Sequence, residues 1–267
     1  MQLKLLNSIK RKGFVQLIND VFVDKNNVQI FDVDVECDYY DIPRAKGNKG
    51  LRVALLDPQL NYPVLVSDGS RYRGVGGQIL FKPMFNTTPT RGSVIAKHAE
   101  IKIPYSPVEG SLWGNDDTID LTMAHERLNN NVADNTKILT RVINIGKDSN
   151  INNNKEFIKW SPTSISQKIV AEGRMVICRQ DCTTVRAFGN WSRFDNWNGA
   201  NSSDGQYSEW GTTFIDNMDL YDTYIQIGFL FHTAALPADP PYTGVAPTID
   251  AVRNTFFEAR INTCGVR

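Results

Sequence analysis

The feature that most constrains the fold is a pair of apolar runs in the last third of the chain. They span residues 222–233 and 253–264, and both are rich in β-branched and aromatic residues without a helical period. The segment between them has four prolines from position 237 to position 247, so it cannot be regular structure. The sequence therefore predicts two core strands here, the second of which completes the fold.

Other strand-like runs precede this pair, and none of them alternates with helical patterns. About eight to ten strands are separated by long loops rich in Gly, Pro and Asn, and no helical pattern exceeds about two turns. The runs are 51–56, 78–81, 94–97, 99–103, 118–123, 137–145 and 165–178, the last with a break at 172–173. Many strands without βαβ units predict an all-β antiparallel sandwich or a barrel.

Charge and length limit the classes of function. Lys plus Arg and Asp plus Glu number 29 each in 267 residues, and the pI is 6.8. A neutral chain has no overall electrostatic field that attracts nucleic acid. It is also prone to self-association, because no net charge makes its copies repel each other. The N-terminus lacks the apolar core of a signal peptide, and no apolar run is long enough to span a membrane, so we expect neither.

Between positions 31 and 38, acidic and apolar residues alternate strictly. The apolar set is Phe31, Val33, Val35 and Cys37, and the acidic set is Asp32, Asp34, Glu36 and Asp38. This period predicts a strand within residues 28–42 that has one core face and one acidic face. The acidic face is either solvated or relieved by a basic neighbour, another subunit or a hard cation such as Ca²⁺.

The first thirteen residues carry four basic side chains and no acidic one: Lys4, Lys10, Arg11 and Lys12. Leu3, Leu6 and Ile9 can form one stripe of a short helix. The segment is either a basic arm that contacts polyanions or the helical start of the fold. We therefore divide the chain into an arm, residues 1–13, and a single domain, residues 14–267.

Aromatic residues concentrate in a polar stretch between positions 189 and 211, which we expect to be a surface loop. They are Trp191, Phe194, Trp197, Tyr207 and Trp210. Aromatic residues among Asn, Ser, Asp and Gly are typical of surfaces that bind sugars, bases or another subunit. The alternative is that these side chains pin a long loop to its own domain.

Signatures of catalysis are missing from the sequence. His125-Glu126 is not followed by a second His at position 129, and no Gly-x-Ser-x-Gly elbow is present. Residues 71–77 resemble a phosphate-binding loop but lack its Lys and Ser/Thr, so we interpret them as an ordinary loop. The cysteines at 37, 178, 182 and 264 fit no zinc spacing. They are either small buried groups, or they form a disulfide or a metal site. We predict no catalytic residues and no cofactor apart from a structural Ca²⁺ on the acidic strand.

The combined pattern resembles the single jelly-roll capsid proteins of small icosahedral viruses, particularly those with circular single-stranded DNA. The features that carry this resemblance are a short basic start, eight or more strands with long loops, and the final strand with Phe256, Phe257 and Ile261. Members of that group carry a long arginine-rich arm, whereas the arm here has only the four basic residues named above.

The resemblance implies an eight-stranded jelly roll that acts as a structural protein and not as an enzyme. Copies would self-assemble into a virion shell in the host nucleus or cytoplasm. The arm would bind the genome weakly and without sequence preference, and the outer surface would contact a host receptor such as a glycan. Two other hypotheses stay open, namely a glycan-binding sandwich such as a lectin or attachment module, and a sandwich hydrolase that uses two carboxylates.

Overall fold

The computed structural model describes residues 16–18, 21–23, 33–61, 63–85, 94–128, 138–160, 168–195, 205–232 and 251–263. Regular structure in these residues consists of strands and short 3-10 helices. The strands are β1 (Gln16–Ile18), β2 (Val21–Val23), β3 (Val35–Cys37), β4 (Arg52–Leu55), β5 (Val64–Ser67), β6 (Tyr72–Gly74), β7 (Gln78–Leu80), β8 (Met84–Phe85), β9 (Ala96–Ile103), β10 (Tyr105–Ser106), β11 (Gly110–Ser111), β12 (Thr118–Leu128), β13 (Ile138–Gly146), β14 (Lys155–Trp160), β15 (Lys168–Arg179), β16 (Thr184–Asp195), β17 (Gly205–Phe214), β18 (Thr223–His232) and β19 (Ala251–Asn262).

Two antiparallel sheets pack face to face, which confirms the predicted all-β sandwich. The larger sheet has seven strands in the order β17-β16-β15-β12-β19-β7, with β8 also paired to β19. The smaller sheet has four strands in the order β14-β13-β18-β9. A third sheet, β3-β4-β5-β6, precedes both in the chain and contains the parallel pair β3·β4. The predicted final strand, β19, lies in the interior of the larger sheet between β12 and β7.

The long strands pair as a nested set of antiparallel partners. The last strand, β19, pairs with β7 and β8, and the one before it, β18, pairs with β9. Inside these pairs, β12 pairs with β15 and β13 pairs with β14. The contacts β12·β19 and β13·β18 then join the four pairs into two sheets. The earliest strands of this set are therefore paired with the latest ones, and the middle strands are paired with each other.

Alternating side chains from the two sheets form the core. On β12, Ile119, Leu121 and Met123 are buried, and they belong to the same cluster as Ile143 on β13 and Ile227 on β18. The cluster also takes in buried side chains of the third sheet, such as those of Val53 and Leu65. One continuous hydrophobic core thus joins described residues from Tyr39 to Ile261.

The chain covers the outer face of the four-stranded sheet. The connection between β13 and β14 places Ile151 against Val142 and Leu230, together with Ile95, in a second small cluster. Gly228 makes room for this cover, because a Cβ there would lie 2.6 Å from both Ile151 Cδ1 and Ile95 Cγ2. A side chain larger than hydrogen at position 228 would therefore push the cover away.

Amide side chains fasten the same connection. Asn154 Nδ2 donates to Gln226 Oε1 at 2.7 Å, and Gln226 Nε2 donates to Glu100 Oε2 at 2.7 Å. Asn144 Nδ2 donates to the carbonyl of Ile151 at 2.8 Å. The connection therefore supplies hydrogen-bond partners to buried amide side chains of β13 and β18.

The structure corrects four sequence predictions in the described residues. Of the strand predicted for residues 28–42, the described part, 33–42, contains only three strand residues, Val35–Cys37, and a 3-10 helix follows at Tyr39–Asp41. The predicted break at Glu172-Gly173 is absent, because β15 continues through both residues. Residues 71–77 are not a plain loop, since they contain β6 and a 3-10 helix at Val75–Gly77.

The fourth correction concerns the polar stretch 189–211, which was predicted to be a surface loop. Residues 184–195 and 205–214 are instead the long strands β16 and β17, which form a hairpin at the edge of the larger sheet. Gly189 and Gly211 allow close packing there, because a Cβ would lie 3.0 Å from the carbonyl oxygens of Arg174 and Phe157 respectively. Glycines that suggested a loop therefore serve close contact within the sandwich.

Candidate functional site

A polar cavity of about 460 Å³ lies at the end of the sandwich where β15 finishes. Its lining includes Tyr39, Arg71, Arg73, Glu109, Arg179 and Asp219. We call it the arginine pocket. It brings together the third sheet, the segment between β9 and β12, the end of β15 and the 3-10 helix Met218–Leu220.

Arg71 is held in this pocket by a two-pronged ion pair. Its Nη2 and Nη1 donate to Asp117 Oδ1 and Oδ2 at 2.8 and 3.1 Å, and Asp117 is only 1% exposed. The backbone N–H of Gly114 also donates to Asp117 Oδ2, at 2.9 Å. Parallel N–H···O bonds of this kind fix geometry as well as charge. They tie the third sheet to the start of β12.

Arg179 at the end of β15 is more deeply enclosed, with its side chain 2% exposed. Nη2 donates to Asp219 Oδ2 at 2.7 Å, Nε donates to the carbonyl of Asp181 at 3.1 Å, and Nη1 donates to the carbonyl of Trp113. Asp219 Oδ1 in turn accepts the backbone N–H of Ser111 at 2.9 Å. Every nitrogen of the guanidinium fork therefore meets an acceptor from a different segment, and Arg179 stabilises the end of the sandwich.

Two tyrosines close the floor of the arginine pocket. Burial and then the charges of Glu109 and Asp219 raise the pKa of Tyr39 far above its ordinary range. Burial, with Glu109 as a further cause, raises the pKa of Tyr72 to about 12. Both hydroxyls therefore stay protonated near neutral pH and can only donate or accept hydrogen bonds. The pocket therefore presents hydroxyl, guanidinium and carboxylate groups that can bind a polar partner.

A second polar group lies between the two sheets. His125 on β12 is within hydrogen-bond reach of Arg141 Nε on β13, and both side chains are buried. The ring of Phe229 packs edge-on against His98 at 4.7 Å and in a tilted arrangement against His125 at 5.0 Å. We call these four residues the histidine cluster. Burial lowers the pKa of His98 to about 4, and burial followed by the charge of Arg141 lowers that of His125.

The predicted acidic face is only partly described. Asp34 is exposed and its carboxylate accepts the backbone N–H of Arg52 at 2.9 Å, while Asp38 is exposed. Val35 and Cys37 pack against the core, as the alternation predicts. Asp32 lies outside the described residues. Across the part of the chain that the structure describes, no three His, Cys, Asp or Glu side chains come close enough together to hold a metal ion.

The structure divides the predicted aromatic set between two strands. Trp191 on β16 lies opposite Tyr207 on β17, and Trp210 on β17 lies opposite Phe188. Phe194 lies in β16, opposite Val170 of β15, and Trp197 lies outside the described residues. The four described members of the set therefore lie in a paired hairpin, where successive residues alternate between faces.

The remaining sequence candidates are cysteines and the basic arm. Cys37, Cys178 and Cys182 form no disulfide bond among the described residues. Cys264 is outside the described residues, as is the whole arm with Lys4, Lys10, Arg11 and Lys12. Asp117, one of the buried carboxylates, is paired with Arg71. The described residues contain no helix with the length and apolar character needed to cross a membrane.

Sequence reasoning missed Trp113, Arg179 and Phe188. Trp113 is fully buried, and its Nε1 donates to the carbonyl of Asp117 at 3.0 Å. No local sequence pattern predicts this contact. Phe188 could have been found, because Val185 and Ala187 alternate with Arg186 and Phe188 immediately before the polar stretch.

The chain matches no protein-family model and no curated protein sequence. Its fold and its side-chain geometry therefore carry the functional argument.

Proposed function

We propose that this chain is the shell-forming capsid subunit of a small icosahedral particle, built on a jelly roll. The observation that supports this most is the nested pairing of β7 and β8 with β19, β9 with β18, β12 with β15, and β13 with β14. If β7 and β8 are counted as one strand, the set can be numbered from one to eight along the chain. The sheet orders are then 1-8-3-6 and 2-7-4-5, which are the orders expected of a jelly roll. The β16–β17 hairpin extends the first of these sheets beyond β15, which is the strand numbered six.

Jelly rolls serve in viral capsids, lectins and cupins, so the fold alone does not choose among these functions. Zero net charge favours a shell, because nothing in the overall charge opposes the association of copies. The four basic residues at the N-terminus supply a weak contact for an enclosed polyanion. A closed symmetric shell also gives identical copies a way to cover one another's exposed surfaces.

Sedimentation velocity and negative-stain microscopy on the purified chain test the proposal. We expect a fast, narrow boundary and round particles of uniform size over a range of salt and pH. A monomer at tens of micromolar under all of these conditions would overturn it. A glycan array on the same preparation then tests the lectin hypothesis, for which strong binding by a monomer would be the decisive result.

The basic arm makes a separate contribution to the proposal. Four cations neutralise about four phosphates, which gives a salt slope of about −2.8 for a single strand. Many linked copies facing one interior strengthen such weak contacts through effective concentration. A chain that lacks residues 2–12 should still assemble but carry less nucleic acid, measured as the ratio of absorbance at the nucleic-acid and protein maxima. An unchanged ratio would rule out this role for the arm.

A further inference from the structure

The outer surface of β15 and β16 exposes a cross-strand pair of apolar side chains. Val176 and Phe188 lie directly opposite each other in the register and are 42% and 56% exposed. Their chain neighbours Met175, Ile177 and Ala187 are buried in the core on the other face. The buried neighbours therefore fix the apolar pair on the outer face of the sheet.

Two arginines flank this pair at diagonal corners. Arg174 precedes Val176 by two positions on β15, and Arg186 precedes Phe188 by two positions on β16, so both lie on the same face and at opposite ends. Both are exposed. The side chain of neither arginine forms a hydrogen bond or ion pair with any residue that the structure describes. We call Arg174, Val176, Arg186 and Phe188 the Phe188 platform.

Several other arginines of the described chain are paired with carboxylates. Arg71 and Arg179 are committed to the carboxylates of the arginine pocket, and Arg260, on β19 of the same sheet, lies 3.2 Å from Glu258. Two acidic residues lie nearby in the register: Asp120 on β12 is opposite Val176, and Glu172 precedes Arg174 by two positions on β15. The platform thus combines one exposed aromatic ring with two cations whose side chains form no ion pair with a described residue.

We propose that the Phe188 platform binds single-stranded nucleic acid. A base stacks on the exposed ring of Phe188, and Arg174 and Arg186 contact phosphates on either side of that base. Aromatic rings on a sheet flanked by cations bind single strands without sequence preference, because every base has a stacking face and every nucleotide a phosphate. Duplex offers no unstacked base, so the platform discriminates between single and double strands.

A second copy of the chain fits the platform less well. In a two-fold contact the same surface meets itself, which would bring arginines from both copies into one apolar interface. Two available cations without acidic partners are instead complementary to a polyanion. In a shell the platform would contact the enclosed genome. This position inside a shell rests on the proposed function, whereas the binding of a single strand does not. The binding itself needs one folded chain.

Fluorescence anisotropy of the full chain with a short, labelled oligothymidylate tests the proposal. Phe188→Ala and Phe188→Leu should each weaken binding about tenfold, since stacking on one ring is lost in both. The double variant Arg174→Gln/Arg186→Gln should reduce the slope of log affinity against log salt by about 1.4, measured from about 50 mM to about 200 mM. The control Tyr40→Ala removes an aromatic ring of equal exposure, 56%, outside the platform and should leave affinity unchanged.

Thermal melting of each variant verifies that it is folded, and Phe188→Leu keeps the apolar volume if Phe188→Ala does not fold. Affinity within twofold of the parent in Phe188→Leu would overturn the proposal. A duplex of the same length is the second probe. If the parent chain binds this duplex as tightly as the single strand, and Phe188→Leu does not weaken that binding, the proposal is also overturned. Loss of particles without loss of oligonucleotide binding would assign the platform to contacts between copies and overturn it as well. Oligonucleotide binding by a chain that stays monomeric would uphold this inference while the shell proposal fails.

Discussion

The two sheets of the sandwich differ in what covers their outer faces. In the four-stranded sheet, β18 is buried at nearly every position, and β13 from Thr140 to Ile145 is buried on both sides. In the seven-stranded sheet, β15 and β16 alternate between buried and exposed residues, and Phe188 is 56% exposed. One sheet is completed by its own chain, whereas the other offers a face to solvent or to a partner.

The difference originates in one connection. Residues between β13 and β14 fold back over the smaller sheet, where Ile151 fills the space that Gly228 leaves open. No described residue covers Val176 and Phe188 in this way. Exposed apolar residues that lie together, unlike scattered ones, indicate an interaction surface. The comparison therefore separates the part of the molecule that serves stability from the part that is available for binding.

Truncating the cover should have the largest effect. Ile151→Ala removes a buried side chain from the second cluster and should lower the free energy of unfolding by about 3 kcal/mol. Val176→Ala, on the open face, should change it by less than about 0.5 kcal/mol. Urea unfolding of both variants measures the difference. Equal losses would mean that the two faces are buried alike, and the comparison would fail.

Acid should act on the histidine cluster, which lies between the two sheets. The folded pKa of His98 is lowered from 6.5 to about 4, so its contribution is fully present above pH 6.5 and is lost as the pH falls from there toward 4. The loss is about 2 kcal/mol by about pH 5, and the lowered pKa of His125 adds to it in the same direction. His98→Gln should flatten this part of a curve of unfolding free energy against pH. An unchanged slope would show that His98 is not the group that titrates.

Enclosed and exposed ion pairs should show the same contrast as enclosed and exposed apolar groups. Asp117→Asn breaks a buried charge-assisted pair with Arg71 and should cost about 1.5 kcal/mol. Asp216→Asn removes a pair with Lys147 whose side chains are 65% and 62% exposed, and it should leave the unfolding free energy unchanged. Chemical denaturation compares them. A cost for Asp216→Asn equal to that for Asp117→Asn would contradict this account of the arginine pocket.

Much of the sheet structure could be predicted from local pattern. The runs that became β18 and β19 are apolar, β-branched and aromatic, so composition alone indicated strands. The β16–β17 hairpin was missed because its glycines and polar residues resemble a loop. In the folded chain Gly189 and Gly211 lie 3.0 Å, measured from an added Cβ, from backbone oxygens of neighbouring strands. Such contacts between distant segments leave no local signature.

The sites were harder to predict than the strands, for the same reason. Arg71 and Asp117 are 46 positions apart, and Arg179 and Asp219 are 40 apart, so their pairing depends on the completed fold. Local alternation did place Val35 and Cys37 toward the core correctly. It did not foresee that the strand would end after Cys37, where the backbone turns into the 3-10 helix at Tyr39.

The acidic strand should give the smallest effect. The carboxylate of Asp34 already accepts the backbone N–H of Arg52, and Asn offers an acceptor oxygen in the same place. Asp34→Asn should therefore change the unfolding free energy by less than about 0.5 kcal/mol, with the same melting temperature in calcium and in chelator. A rise in melting temperature with calcium that the variant loses would instead place a cation on this strand.

Hydroxyl-radical footprinting, with and without a short oligothymidylate, tests the contrast between the covered and the open sheet most directly. Phe188 should be oxidised readily in the free chain and become protected when the oligonucleotide binds. Ile151 should be protected in both states, and Leu220, which is 67% exposed on a 3-10 helix, should react equally in both. Equal oxidation of Phe188 with and without oligonucleotide, under conditions where anisotropy shows binding, would contradict the account.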